Sequence, residues 1–123
     1  MTLASFDVQR LRDGFRTIEV HGDVDLTNAP EFKEVAMAAI APGDILAIDL
    51  SDCQYIDSRG LGVLIALYKE LGHVYPLVVP QGSFLRRLLR VTGLESLFDF
   101  YENPEAMWHE HGAAGDASAS ATQ

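Results

Sequence analysis

Residues 46–71, LAIDLSDCQYIDSRGLGVLIALYKEL, constrain the fold more than any other part of this chain. The stretch opens on an apolar run, Ile45-Leu46-Ala47-Ile48, which is too short for a helix and is bounded by polar residues. Such a run predicts a strand buried on both faces. It closes on Leu61, Leu64, Ile65, Tyr68 and Leu71, which recur at the three- and four-residue steps of an amphipathic helix. Between the two lies Asp57-Ser58-Arg59-Gly60, where the chain must leave a sheet and start a helix. The unpaired N–H groups of a helix start favour oxygen ligands and negative charge. This junction therefore suits a cap, a phosphate, or both.

The flanking sequence continues the alternation. Phe6-Asp7-Val8 predicts a short first strand, Arg12-Asp13-Gly14 a turn, and Phe15-Arg16-Thr17-Ile18-Glu19-Val20 a half-buried strand that pairs with the first as a hairpin. Residues 21–30 form a loop ending in helix-start signals. Thr27 or Asn28 can cap, and Pro30 and Glu31 suit the first turn. The helix then runs through Phe32, Val35, Ala36, Ala39 and Ile40 to Pro42-Gly43. Beyond the central stretch, Gly72 ends the second helix and Leu77-Val78-Val79 predicts a third buried strand. Phe84 to Val91 read as a helix with one apolar and one basic face, closed by Gly93. Leu97 to Tyr101 read as a last strand, and Asn103-Pro104-Glu105 opens a final helix. Strands alternating with helices predict a single α/β domain over residues 1–111. Its sheet is mixed but mostly parallel, of four to five strands, with about four helices mainly on one face. Residues 112–123 hold no large apolar side chain and read as a flexible tail.

Composition narrows the function. A net charge of -9, with nine Lys and Arg in all, argues against direct nucleic-acid contact and against an anionic membrane surface. No apolar run approaches the roughly 20 residues that span a bilayer. Cys53 is the sole cysteine, so no internal disulfide forms; with no secretory signal pattern at the N-terminus, a cytoplasmic protein is expected.

Several chemistries fail on their motifs. No phosphate-binding G-x-x-x-x-G-K-[ST] occurs, and Gly60-Leu61-Gly62 lacks the third glycine of a dinucleotide fingerprint. No serine sits in G-x-S-x-G. His109-Glu110-His111 lacks the spacing of a helical zinc site, so no metal or cofactor is expected, and Cys53 reads as an inert small hydrophobe. A receiver-type phosphoacceptor would need a lysine after a late strand, whereas Lys33 and Lys69 fall on helices. No catalytic residue emerges. What remains is a shared rim. Asp23 and Asp25 lie in one loop that leaves a strand for a helix, and Asp57 and Ser58 in another; such loops gather at one edge of a parallel sheet. Against this stands a plainer reading of each: Ser58 as a helix cap, the aspartates as turn residues, and Gly60 and Gly62 as close packing against the sheet.

The chain resembles a STAS domain protein of the anti-sigma factor antagonist family. The resemblance rests on Gly22-Asp23-Val24-Asp25, Ile48-Asp49-Leu50-Ser51, Asp57-Ser58-Arg59-Gly60-Leu61-Gly62-Val63-Leu64, and Thr92-Gly93-Leu94 with Leu97-Phe98. They run in the family's order across roughly residues 5 to 108, and Asp-Ser-x-Gly-Leu-Gly is the most specific of them. It implies a binding switch with no enzymatic activity. The unphosphorylated protein binds an anti-sigma factor that is also a serine kinase, releasing a sigma factor. Phosphorylation of Ser58 ends binding, and a serine phosphatase restores it. Asp23, Asp25, Asp57, Ser58, Arg59, Gly60 and Leu61 are the expected partner-binding positions. Arg59 departs from the small residue usual after the serine, and Asp23 from a common glutamate. The alternative within the family is a scaffold or a small-ligand sensor, such as one for a nucleotide, with Ser58 only a cap.

Overall fold

The computed structural model describes residues 4–12 and 14–113, apart from the side chains of residues 112 and 113. Five strands form one sheet in the order β1-β2-β3-β4-β5. They are β1 Ser5–Arg12, β2 Phe15–His21, β3 Ile45–Asp52, β4 Tyr75–Val78 and β5 Phe98–Tyr101. The β1–β2 hairpin is antiparallel, and every later pairing is parallel. Gly14, at φ 82°, takes the left-handed conformation in the hairpin turn; Asp13, expected there too, lies outside the described residues.

Helices α1 Ala29–Ala38, α2 Ser58–Leu71 and α3 Phe84–Val91 carry the three parallel crossovers. Because each new strand adds to the same edge, crossovers of one hand lay their helices on one face. That face holds the main core. Ile18, Val20, Leu46, Ile48 and Leu50 from the sheet meet Phe32, Leu64, Leu67, Leu85 and Leu89 from the helices. The opposite face is covered in part by α4 Pro104–Met107 and the π-helical turn Trp108–Ala113, which pack Met107 and Trp108 on Phe15, Ala47 and Val78. Strand β3 is thus buried on both sides, as its unbroken apolar run predicts.

Three boundaries differ from expectation. Strand β1 is eight residues long, and most of it is exposed. It is an edge strand held by its ladder to β2, so its polar half, Gln9 to Arg12, carries no hydrophobic signal. Strand β4 starts at Tyr75 instead of Leu77 and includes Pro76. The proline is tolerated because the β3–β4 ladder begins only at Leu77. The final strand starts at Phe98, because Glu95–Leu97 form a 3-10 turn. The terminal turn continues to Ala113, and residues 114–123 of the expected tail lie outside the described residues. No helix among the described residues is long and apolar enough to cross a membrane.

Candidate functional site

Each parallel strand releases its chain at the same edge of the sheet, so the loops preceding α1, α2 and α3 share one rim. Two of these loops are stitched together. Val24 and Ile56 form an isolated parallel bridge, in which the Val24 N–H donates to the Tyr55 carbonyl and the Asp57 N–H to the Val24 carbonyl. The Asp23–Asp25 segment and the Asp57–Ser58 junction therefore adjoin, as the sequence predicts.

Asp57 is the fastening. It is the N-cap of α2, and its Oδ1 accepts from the Arg59 and Gly60 N–H groups at 2.9 and 3.1 Å. Its Oδ2 accepts from the Leu26 N–H at 3.0 Å, across the loop boundary. One carboxylate thus ties the helix start to the neighbouring loop. Ser58 occupies the first helical position, exposed, and its hydroxyl has no hydrogen bond among the described residues. The plainer reading of Ser58 as the cap is therefore overturned. Asp57 takes that role because its longer reach serves both loops.

The aspartates of the first loop divide their work. Asp25 Oδ1 accepts from the Thr27 N–H and hydroxyl at 2.9 and 2.6 Å, shaping the turn. Asn28 stands at the N-cap of α1, but its side chain turns back, accepting from the Asp25 N–H and donating to the Asp23 carbonyl. The Asp23 carboxylate makes no hydrogen bond or ion pair among the described residues.

The two glycines of the motif behave differently. A Cβ on Gly60 would lie 2.4 Å from Ile56 Cγ2 and 2.9 Å from Val24 Cγ1, so Gly60 exists for the close approach of α2 to the bridged loops. A Cβ on Gly62 would meet nothing within 4 Å. Gly62 instead floors an open groove between α1 and α2, lined also by Leu26, Pro30, Lys33 and Arg59. Arg59 is exposed, whereas Leu61 is half-buried against the main core. The structure adds apolar surface that the sequence reading missed. Leu26 is 58% exposed, and Tyr55, 45% exposed, stacks on Phe84, 50% exposed. These residues look like ordinary core formers in sequence, and only the rim topology turns them outward.

Burial and nearby acids push the Cys53 thiol up to about 11, and its Sγ sits 3.4 Å from the Tyr55 carbonyl, which suits an inert core residue. At the end of β2, His21 Nδ1 is 2.9 Å from Asp52 Oδ2, and that hydrogen bond raises the imidazole pKa above its ordinary value. His111, expected beside a loose tail, packs on the sheet with Nε2 2.6 Å from the Tyr101 hydroxyl.

The segment that carries these bridged loops and the α2 cap lies inside residues 8–107, which match the STAS domain family. The chain belongs to the STAS domain family. The anti-sigma-B factor antagonist of Listeria monocytogenes is 35% identical over 85 residues, covering 67% of this STAS chain and 75% of that protein. The anti-sigma-B factor antagonist of Bacillus subtilis is 30% identical over 97 residues, covering 72% and 83%. Among solved structures, an anti-sigma factor antagonist from Mycobacterium paratuberculosis superposes with a TM-score of 0.74 at 29% identity, covering 84% of this chain and 89% of that one. These relatives place this STAS protein with the anti-sigma factor antagonists.

Proposed function

We propose that this STAS protein is an anti-sigma factor antagonist working as a phosphorylation-controlled binding switch. In the unphosphorylated state its rim binds an anti-sigma factor and so frees a sigma factor. The serine-kinase activity of that partner phosphorylates Ser58 and ends the association, and a serine phosphatase reverses it. The role is one of binding, in the cytoplasm, with no direct contact to nucleic acid or membrane. Its relatives of 30 and 35% identity support the antagonist assignment. The observation that carries the switch is the free, exposed hydroxyl of Ser58 at the first position of α2, beside a cap that already satisfies the helix start.

The energetics favour a change in docking over a change in fold. Phosphorylation adds about -1.5 to -2 charges. At a helix N-terminus that charge contributes roughly 0.3–1 kcal/mol of stability. Against a partner surface, an unpaired desolvated charge costs on the order of 2–5 kcal/mol. Asp23 and Asp25 add repulsion to any acidic partner and to the new phosphate. Arg59 and Lys33 flank the α1–α2 groove and set which partner surface fits there. Asp57, Gly60 and Leu61 contribute by holding the shape of the rim. Incubation with the partner kinase and ATP, followed by intact-mass measurement, tests the assignment. One added phosphate on the native chain and none on Ser58→Ala is the expected result; phosphate on both would overturn Ser58 as the acceptor.

A further inference from the structure

Where the rim continues toward α3, it carries a feature that folding alone does not call for. Tyr55 and Phe84 stack with ring centroids 6.3 Å apart, although both are exposed. Large rings left in water forgo the stabilisation that burial would bring. The pair is also held in place. Tyr55 belongs to the bridged loops, where its carbonyl accepts from the Val24 N–H at 3.0 Å. Phe84 opens α3 behind a cap in which Ser83 Oγ accepts from the Arg86 N–H at 3.2 Å. Aromatic side chains already fixed in position lose little freedom on binding, which makes them good interface anchors.

The surface extends from this pair in two directions. Beside Phe84, an open cleft of about 340 Å³ lies between the β3–α2 and β4–α3 loops, walled by Ser51, Gln54, Pro80 and Ser83. Along α3, Leu88 and Val91 follow Phe84 at four- and three-residue steps, so the three share one helix face. Leu88 is half-buried, whereas Val91 is 76% exposed. Arg87 stands on the same side, exposed and with no ion pair among the described residues. Charge on this helix runs against that of the chain. α3 holds three of the nine Lys and Arg, and among the described residues Glu95 alone meets them, 4.0 Å from Arg86 and 3.7 Å from Arg90. A chain of net charge -9 thus presents one local face that is both cationic and apolar. Such a face attracts an acidic partner surface that the rest of the chain repels, so charge orients the approach.

We propose that Tyr55, Phe84 and Arg87 form a docking site for the anti-sigma factor, separate from the Ser58 acceptor. It receives an apolar side chain of that partner flanked by carboxylates. The apolar group enters the cleft beside Phe84, and a carboxylate pairs with Arg87. This inference rests on the antagonist reading and deepens it, since part of the specificity for the partner then comes from a surface outside the phosphorylation site. The test compares the native chain with Phe84→Ala, Tyr55→Ser and Arg87→Glu, using the purified anti-sigma factor kinase to measure affinity and the kinetics of Ser58 phosphorylation. Phe84→Ala is expected to weaken binding about tenfold or more while its melting temperature holds, and Tyr55→Ser serves if that variant fails to fold. Arg87→Glu should weaken binding strongly at low salt and less at high salt, as an exposed ion pair requires. Each variant should raise KM for phosphorylation with kcat unchanged, because the acceptor hydroxyl is intact. Val74→Ala, exposed just before β4 at the opposite edge of the sheet, should change neither quantity. Native affinity in all the folded variants would overturn the docking site and leave the antagonist role standing, whereas no binding by the native chain would overturn both. Binding of the native chain to phosphatidylglycerol vesicles, abolished by Phe84→Ala, would assign this face to a membrane and overturn the proposal.

Discussion

Replacing Gly60 and Gly62 one at a time by alanine separates packing from exposure within a single helical turn. Both substitutions gain helix propensity, about 1 kcal/mol at an interior site and less near the N-terminus. At Gly62 nothing lies within 4 Å of the new Cβ, so the gain is realised in full: about 0.5–1 kcal/mol of added stability. At Gly60 the new Cβ falls 2.4 Å from Ile56 Cγ2 and 2.9 Å from Val24 Cγ1. Both contacts are with β-branched side chains that are 0–1% exposed, so neither has a free rotamer to retreat into. Overpacking of this kind costs roughly 1–3 kcal/mol. After the propensity gain, Gly60→Ala is expected to destabilise by about 1–2 kcal/mol. For a domain of this size, where each kcal/mol moves the midpoint by roughly 4 °C, the two variants should melt on the order of 10 °C apart. Urea unfolding with shared m-values is the assay. Equal stability of the two variants, or loss at Gly62, would contradict a tightly packed Gly60 beside an open Gly62.

Other perturbations probe the same rim and its surroundings. Asp57→Ala removes the cap and should cost about 1–2 kcal/mol, whereas Asp57→Asn keeps one acceptor and should cost less. Hydrogen exchange of the Leu26 amide should accelerate in both variants, and an unchanged Leu26 rate would contradict the cross-loop tie. His21 has a folded pKa raised mainly by its hydrogen bond to Asp52. Its contribution is therefore complete below the unfolded value of about 6.5 and fades as pH rises through the higher folded value. His21→Gln should accordingly show a small stability deficit at pH 5.5 that narrows by pH 8.5; a deficit growing with pH would reverse the assignment. Cys53, with its thiol pushed up to about 11, should resist a disulfide reagent at pH 8 in the native chain and react on unfolding. Rapid stoichiometric labelling of the folded protein would contradict its burial.

Much of this architecture was legible because the apolar pattern of each element is set by the face it buries. The Ile45–Ile48 run, the helical steps of Leu61 to Leu71 and the Phe84 to Val91 helix carry their own periodicity. Positive φ at Gly72 and Gly93 ends the second and third helices where the glycines predict. The parts that were not legible depend on partners distant in sequence. The β1 ladder extends past Val8 because β2 supplies the pairing, and Pro76 joins a strand because β3 reaches the ladder only at the next residue. At the site, the juxtaposition of the two aspartate-bearing loops followed from topology. The choice of Asp57 over Ser58 as cap did not, because either residue type can cap, and the deciding bond runs to Leu26 in the other loop. The exposure of Tyr55 and Phe84 was hidden for the same reason.

The switch is tested most directly by the affinity of a purified anti-sigma factor partner for this protein before and after Ser58 is phosphorylated, measured with the melting temperature of the same two samples. A loss of about 3 kcal/mol in binding corresponds to roughly a hundredfold weaker dissociation constant, since each 1.4 kcal/mol is tenfold. The expected result is a loss of that order with the melting temperature unchanged or slightly higher. Equal affinity in both states, or a phosphorylated protein that binds weakly only because it has unfolded, would contradict a switch built on one displayed hydroxyl.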